Sequence, residues 1–331
     1  MNAQHVSEKP MIYSSVIADW DGKSSVRSKP RRHPHQDGLQ ENYFSVILTP
    51  TATHPLVVDR GPEDVRTLLA RRLYSYMNFT TILEQEIVNP VVLRLSRDAY
   101  GLTLPDAARF DAHKIYCDEA YHAVLSVDIV RQVCAGSGVL PGRTSEPQFA
   151  RAIREAKASA RPELAGLIEF SATVVSETLI SGSLTQIPSD ETVALFIREA
   201  IADHAADERT HHAYFTKVFE IAWPQLDSNT RRLIGPLFAD FILAFLAPDL
   251  GGQREALRSL GLSCQDTAQV VWESYPMART VADARHAARS TIRLLDRMGI
   301  FDDPRTEEHF CEVGLIGDQA EGPDTSAGSP G

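Results

Sequence analysis

The stretch HAADERTH, residues 204–211, decides what kind of fold this chain adopts. Its polar residues His204, Glu208 and His211 are spaced by four and then by three positions. An α-helix turns by about 100° per residue, so these three side chains fall within roughly 60° of one another. The spacing therefore predicts a helix that presents two imidazoles and one carboxylate on a single face.

A second stretch, DEAYH at residues 118–122, repeats part of this arrangement. Glu119 and His122 are again three positions apart and share a helical face. Two further glutamates, Glu84 and Glu177, lie in the middle of apolar segments with helical periodicity. A carboxylate in such a segment needs a partner, because burying an isolated charge is costly.

Together the four segments have the pattern of carboxylate di-metal bundles, with one glutamate from each of two helices and Glu-x-x-His from each of two others. We predict an all-α fold, a ferritin-like di-iron helical bundle with additional C-terminal helices. Four inward-facing carboxylates would repel one another without cations, and carboxylates with imidazoles suit iron. For a single Glu-x-x-His, a solvated helix face is the commoner explanation. The combination of four segments favours the metal site.

An aspartate precedes each Glu-x-x-His, at Asp118 and Asp207. Metal-bound histidines usually donate their second ring N–H to a carboxylate or a carbonyl. We predict that each aspartate supports a histidine of the facing helix. The alternative is that both are exposed surface acids, as aspartates most often are.

Composition and the positions of helix-breaking residues divide the chain into three segments. Residues 1–58 are polar and irregular, with one piece at 45–58 that could be extended, and residues 59–300 form the di-iron helical bundle domain. Residues 301–331 form a tail that we expect to be largely disordered. Helices are predicted from Pro62 to a kink or end at Pro90, then at about 103–138, 146–181 with an interruption at Pro162, 189–222, 227–246, 253–260 and 279–298.

The composition argues against several classes of protein. Lysine and arginine number 33 against 44 acidic residues, a net charge of −11, so the basic surplus typical of nucleic-acid-binding proteins is lacking. The four cysteines are far apart, which disfavours a disulfide scaffold or a cysteine zinc site. No signal peptide is evident, and the most apolar stretch, Leu237 to Ala247, is too short to span a bilayer. We expect a cytoplasmic protein without membrane or nucleic-acid partners.

The extra histidine, His204, lies one turn before the usual Glu-x-x-His. With it the chain resembles the non-haem di-iron arylamine N-oxygenases, the p-aminobenzoate N-oxygenase type of antibiotic pathways, over roughly residues 60–300. The resemblance implies an oxidoreductase with two Fe ions. Such an enzyme uses O2 and an external electron donor to oxidise an aromatic amine through hydroxylamine and nitroso to nitro. Family members act on p-aminobenzoate or the arylamine precursor of chloramphenicol, and they form homodimers.

The resemblance also implies a role for each of the seven ligand positions, all of which match the family pattern. Glu84 and His122 would be terminal ligands of one iron, and Glu177, His204 and His211 would bind the other. Glu119 and Glu208 would bridge the two ions.

Three alternatives stay open. The first is another di-iron enzyme, such as a hydroxylase, a desaturase or a ribonucleotide-reductase-like protein, and His204 disfavours it because those families do not place a histidine there. The second is a ferritin-like iron store, disfavoured by the length, the 19 prolines and the irregular first 58 residues. The third is a purely structural helical protein, which metal analysis would test.

Two sets of residues are candidates for substrate contacts. Residues near Glu84 and Glu177 could line a flat aromatic pocket, although a plain core role is commoner for each; they are Met77, Thr80, Thr81, Leu83, Phe170, Thr173 and Ile180. The arginines of the helix predicted at 279–298 could bind a substrate carboxylate or could simply be solvated.

Overall fold

The computed structural model describes residues 13–34, 41–142 and 146–317. Most of these residues are helical, and the β-bridge found among them is an isolated one between Asn42 and Val193. The predicted all-α fold is therefore confirmed. The α-helices are α1 (Trp20–Lys23), α2 (Ser25–Ser28), α3 (Pro55–Val58), α4 (Pro62–Ile82), α5 (Asn89–Ser96), α6 (Asp106–Ser137), α7 (Gln148–Ser159), α8 (Ala165–Leu184), α9 (Leu195–Ala222), α10 (Ser228–Ile234), α11 (Leu237–Leu246), α12 (Leu250–Ser259), α13 (Cys264–Ser274), α14 (Met277–Ala287), α15 (Arg289–Arg297) and α16 (Pro304–Glu312).

Long helices from four parts of the chain form the central bundle. Both α4 and α5 pack along α6, α8 packs along α9, and α6 contacts α9. Local signals set several of the ends: α4 begins at Pro62 with two acids in its first turn, and α6 ends at Gly138, which adopts a left-handed conformation with φ 71°. The four predicted metal-site segments thus come from four neighbouring elements.

The first bundle helix differs from its prediction around Glu84. A π-helical segment, Leu83–Val88, joins α4 to α5, and Pro90 lies in the first turn of α5 instead of ending a helix. Proline is tolerated there because its missing N–H falls where the hydrogen-bond pattern is already changing. Such π segments are frequent at functional sites, and Glu84 lies inside this one.

Several other predicted boundaries are wrong. The helix predicted from residue 189 begins at Leu195, because Asp190 accepts hydrogen bonds from the backbone and hydroxyl of Thr192 and so closes a turn. The helices predicted at 227–246 and 279–298 are each divided in two, and α13 was not predicted. The interruption at Pro162 is a short 3-10 segment, Pro162–Leu164, between α7 and α8.

The N-terminal and C-terminal segments are more ordered than predicted. Residues 45–58 contain a 3-10 turn, Pro50–Thr53, and helix α3 instead of an extended piece. Phe44 and Val57 are buried in the core, so no boundary at residue 58 separates this segment from the bundle. Helix α16 packs through the buried Phe310, which contradicts the disordered tail for residues 301–317. Residues 318–331 lie outside the described part of the chain.

Residues 228–259 are long and apolar enough for a membrane span by length and composition alone. In the fold this stretch is divided among α10, α11 and α12, and prolines at positions 236 and 248 stand at the breaks. Helix α11 packs on α7 and α8, where Phe238 and Phe241 are completely buried. Its apolar side chains contribute to the core of the bundle.

A candidate metal centre inside the bundle

Seven side chains of the predicted site meet between the π segment, α6, α8 and α9. None has more than 3% of its surface exposed; they are Glu84, Glu119, His122, Glu177, His204, Glu208 and His211. Their ligand atoms form three overlapping groups, each within 4.8 Å. The groups are Glu84 with His122, His204 and Glu208; Glu119 with His122, Glu208 and His211; and Glu84 with Glu119 and Glu177.

Glu208 lies at the centre of the cluster. Its Oε1 is 3.0 Å from Nε2 of His204, 3.2 Å from Nδ1 of His122 and 3.5 Å from Nδ1 of His211. Glu119 contacts two of the same imidazoles, with its oxygens 2.9 Å from Nδ1 of His122 and 2.9 Å from Nδ1 of His211. Both carboxylates therefore lie between histidines contributed by α6 and α9.

His204 lies at the opposite end of the cluster from His211. Seven residues along a helix correspond to about 10 Å of rise, so these two imidazoles lie on either side of Glu208. The ring of His204 is 4.0 Å from that of His122, and its Nε2 is 3.6 Å from Oε1 of Glu84. The structure thus groups His204 with Glu84 and His122, whereas the family resemblance implied a grouping with Glu177 and His211.

The two aspartates each contact a histidine of the facing helix. Oδ2 of Asp207 is 3.1 Å from Nε2 of His122, and Oδ2 of Asp118 is 3.2 Å from Nε2 of His211. Both aspartates are buried, so they are not the surface acids of the alternative interpretation. Each contact fixes the outer nitrogen of an imidazole whose inner nitrogen, Nδ1, faces the glutamates.

The N-terminal segment supplies residues that sequence reasoning missed. The indole of Trp20 and the hydroxyl of Ser24 donate hydrogen bonds to Asp118, and the backbone N–H of Ser25 donates to Asp207. Helices α1 and α2 have four residues each, too short for a periodic pattern, so the sequence carries no signal for these contacts. Only the folded chain brings them to the aspartates.

Burial and mutual repulsion act on the two outer glutamates. Burial raises the pKa of Glu84 well above its usual range, and the charges of Glu119 and Glu208 raise it further. Burial, followed by the same two charges, also raises the pKa of Glu177. The four side-chain oxygens of Glu84 and Glu177 find no hydrogen-bond partner within the described ranges of the chain. Cations between them would satisfy these oxygens, so the donor set fits a dinuclear metal site.

The pKa values of the inner carboxylate and imidazole groups depend on their charged neighbours as well as on burial. Burial raises the pKa of Glu208, but the nearby histidines, His211 first, reverse this and lower it well below the usual range. Burial lowers the pKa of His122 and His211, yet their carboxylate neighbours raise both well above the usual range. The pKa of His204 is lowered by burial and by the charge of His122. Without metal, protons would take the place of cations in the cluster.

A cavity of about 770 Å³ lies near the cluster, although its walls include none of the seven cluster residues. Its walls include Met77, Thr80, Thr81 and Ile180, four of the seven residues suggested as pocket candidates, whereas Leu83, Phe170 and Thr173 are not among them. Tyr76 also lines the cavity. Burial raises the pKa of its phenol, and the charges of Glu208 and Glu84 raise it further. Phe44, Phe79 and Phe149 add aromatic surface. This volume and lining are typical of a small-molecule site.

The C-terminal arginines lie elsewhere. Arg285, Arg289 and Arg293 line a separate pocket of about 280 Å³ with residues 315–317. None of the three lines the larger cavity. They therefore do not contact a substrate placed beside the glutamates.

The chain matches a known protein family over a range that includes the cluster residues. A family model described as P-aminobenzoate N-oxygenase AurF matches residues 19–299. No curated protein matches the chain. The family match begins before α1, so it includes the N-terminal contacts to Asp118 and Asp207 as well as the bundle.

Proposed function

This chain belongs to the p-aminobenzoate N-oxygenase AurF family, and from that premise we propose that it oxidises an arylamine to the nitro compound in a secondary-metabolite pathway. The reaction would pass through hydroxylamine and nitroso stages and would consume O2 and electrons from an external donor. The observation that carries the proposal is the buried cluster of four glutamates and three histidines, with the 770 Å³ cavity nearby. Unpaired cysteine thiols suit a reducing cytoplasm, where we place the enzyme.

We propose that all seven cluster residues hold two iron ions. Glu119 and Glu208 are the best candidates for bridging carboxylates, because each contacts imidazoles from both α6 and α9. The Asp207–His122 and Asp118–His211 contacts would keep Nδ1 of both rings directed at the metals. When bound, the two ions supply the activation of O2.

The remaining residues would position the amine and exclude water. An arylamine in the cavity would have its ring against aromatic and aliphatic side chains and its nitrogen towards the glutamates, next to Thr80 and Ile180. Burial raises the pKa of Tyr76, so its phenol stays protonated and can donate a hydrogen bond at the boundary between cavity and cluster. The buried, apolar surroundings would keep bulk water from competing with the amine.

The direct test offers substituted anilines to the reduced, iron-loaded protein in the presence of O2. We expect nitroarene products from a panel of para-substituted anilines, and the best substrate would identify the preferred substituent. Glu220→Ala changes an exposed carboxylate on α9 and should leave the product pattern unchanged. Hydroxylation of the ring with no oxidation of nitrogen would contradict the proposal and favour a di-iron hydroxylase.

Metal loading should release protons. Glu84, Glu177, His122 and His211 have raised pKa values without metal, so each holds a proton to higher pH than usual and must lose it to bind a cation. We expect on the order of two protons released per Fe(II), and weaker iron binding as the pH falls. A pH indicator in weakly buffered solution measures the release.

The matched control is the double variant Glu84→Gln, Glu177→Gln, which removes two of the titrating groups and should release fewer protons. If iron binds to the wild-type protein with no change in pH, the proposed ligand set is wrong.

We propose a homodimer through the outer face of α6. Exposed residues there repeat at alternating spacings of three and four, the period of a coiled-coil seam, and include Phe110, His113, Cys117, Ala120, Val124 and Val127. Phe110 and Val124 are 63% and 61% exposed, an unusual exposure for apolar side chains along one helix. The opposite face of α6 carries Glu119 and His122, so the two metal centres would lie on either side of the interface.

Val124→Lys should convert the dimer to a monomer, because it places two like charges in an apolar seam. Light scattering coupled to size-exclusion chromatography measures the mass. Leu233→Lys changes an exposed leucine outside the seam and should leave the mass unchanged. A dimer that persists in the Val124→Lys protein would contradict this interface.

A further inference from the structure

A continuous chain of contacts runs from the N-terminal segment to the metal cluster. Nε1 of Trp20 lies 2.9 Å from each carboxylate oxygen of Asp118, and Oδ2 of Asp118 lies 3.2 Å from Nε2 of His211. On its inner side, Nδ1 of His211 is 2.9 Å from Oε1 of Glu119. An indole, a carboxylate and an imidazole thus connect α1 to the cluster with no intervening gap.

The second aspartate–histidine pair provides an internal comparison. Asp207 contacts His122 just as Asp118 contacts His211, but its outer partner is the backbone N–H of Ser25. A backbone amide is therefore enough to anchor an aspartate at this site. Ser24 already donates a hydrogen bond to Asp118 as well. The hydrogen bond from the Trp20 indole is consequently not needed to anchor Asp118.

Trp20 also lies at the boundary between the cluster and the surface. Asp118 and His211 are buried, whereas Trp20 is half-buried in a four-residue helix whose neighbours Asp19 and Asp21 are exposed. The Arg27 guanidinium lies 5.8 Å from the centre of the indole ring. The indole joins the surface to Asp118 through its N–H, so its place at this boundary suits tunnelling of electrons inward.

We propose that Trp20 is the entry point for electrons that reduce the metal centre, with Asp118 and His211 as the path inward. This inference rests on the proposed di-iron site. A one-electron carrier protein would give one electron at a time, and two transfers would convert two ferric ions to two ferrous ions while two carriers are oxidised. Trp20, Asp118 and His211 return to their starting states, and no bond to them forms or breaks.

The test measures the rate of reduction of the oxidised, iron-loaded protein by a reduced [2Fe–2S] ferredoxin, followed by stopped-flow absorbance before any amine is added. We expect Trp20→Phe to slow this reduction by about tenfold or more, the size of effect typical for residues behind metal ligands. Trp20→Tyr, which keeps an aromatic ring with a hydrogen-bond donor, should recover part of the rate. Iron content and thermal stability should stay at wild-type levels in both variants.

Ser24→Ala is the matched control, because it removes a hydrogen bond to Asp118 without removing the indole. An unchanged rate in Trp20→Phe would overturn the inference. Equal slowing in Ser24→Ala would also overturn it, because the hydrogen bond from Trp20 would then only position Asp118. Loss of iron in Trp20→Phe would likewise assign Trp20 a structural role. Absence of iron in the wild-type protein would instead refute the proposed function, so the two failures are distinguishable.

Discussion

Glu208→Ala should remove the metal centre and reduce N-oxygenation by about 100-fold or more, the upper range for groups that determine metal affinity. Glu208 contacts all three histidines of the cluster, and its loss would remove one of the carboxylates that lie next to each of them. The buried imidazolium charges of the metal-free variant would be less well compensated, so it should also unfold at lower temperature. Elemental analysis, nitroarene yield and thermal denaturation measure the three effects.

Comparison with other carboxylates makes the prediction specific. Glu119→Ala should behave like Glu208→Ala, whereas Glu84→Ala should do less damage because water can replace a terminal ligand. Glu220→Ala on the exposed side of α9 should behave like the wild type. Two irons per chain and normal turnover in Glu208→Ala would show that Glu208 is not a bridge.

His204→Ala should leave the helices folded but alter the iron site and strongly reduce N-oxygenation. His204 is buried, and its Nε2 lies 3.0 Å from Glu208 and 3.6 Å from Glu84, so its loss opens a coordination position at that end of the cluster. An imidazole adds a donor without adding negative charge, and its removal should change both O2 access and the optical spectrum. We expect a loss of turnover of about 10- to 100-fold.

The measurements are circular dichroism, iron content, the spectrum after addition of O2, and nitroarene yield. His286→Ala, which changes an exposed histidine on α14, serves as the control. Unchanged iron content, spectrum and yield in His204→Ala would remove His204 from the ligand set. That result would also withdraw the main sequence argument for an N-oxygenase over an ordinary di-iron hydroxylase.

Helical spacing was sufficient to predict the bundle and the convergence of the seven side chains. Residues three and four apart share a face whatever the rest of the chain does, so HAADERTH and DEAYH determine their own faces. The same geometry explains the position of His204, because a rise of 1.5 Å per residue separates it from His211 along α9. The start of α4 and the end of α6 were also determined by local residues, Pro62 and Gly138.

The predictions that failed depend on contacts between distant segments. The start of α9 was misplaced because Asp190 closes a turn beside the bridge from Val193 to Asn42, some 150 positions away. The N-terminal segment looked irregular because its order comes from packing and from hydrogen bonds to Asp118 and Asp207. Periodicity carries no information about such contacts.

The sequence by itself determined the donor set of this protein: helical spacing specifies which carboxylates and imidazoles share a face, and a buried set of them needs cations or protons to offset its charge. Only the tertiary structure decided how the faces meet. It paired Asp118 with His211 and Asp207 with His122 across two helices, brought Trp20 to the outside of that path, and left a cavity lined by Thr80 and Ile180. The physical reason is that a helix determines side-chain direction locally, whereas the neighbours of each face depend on packing over the whole chain.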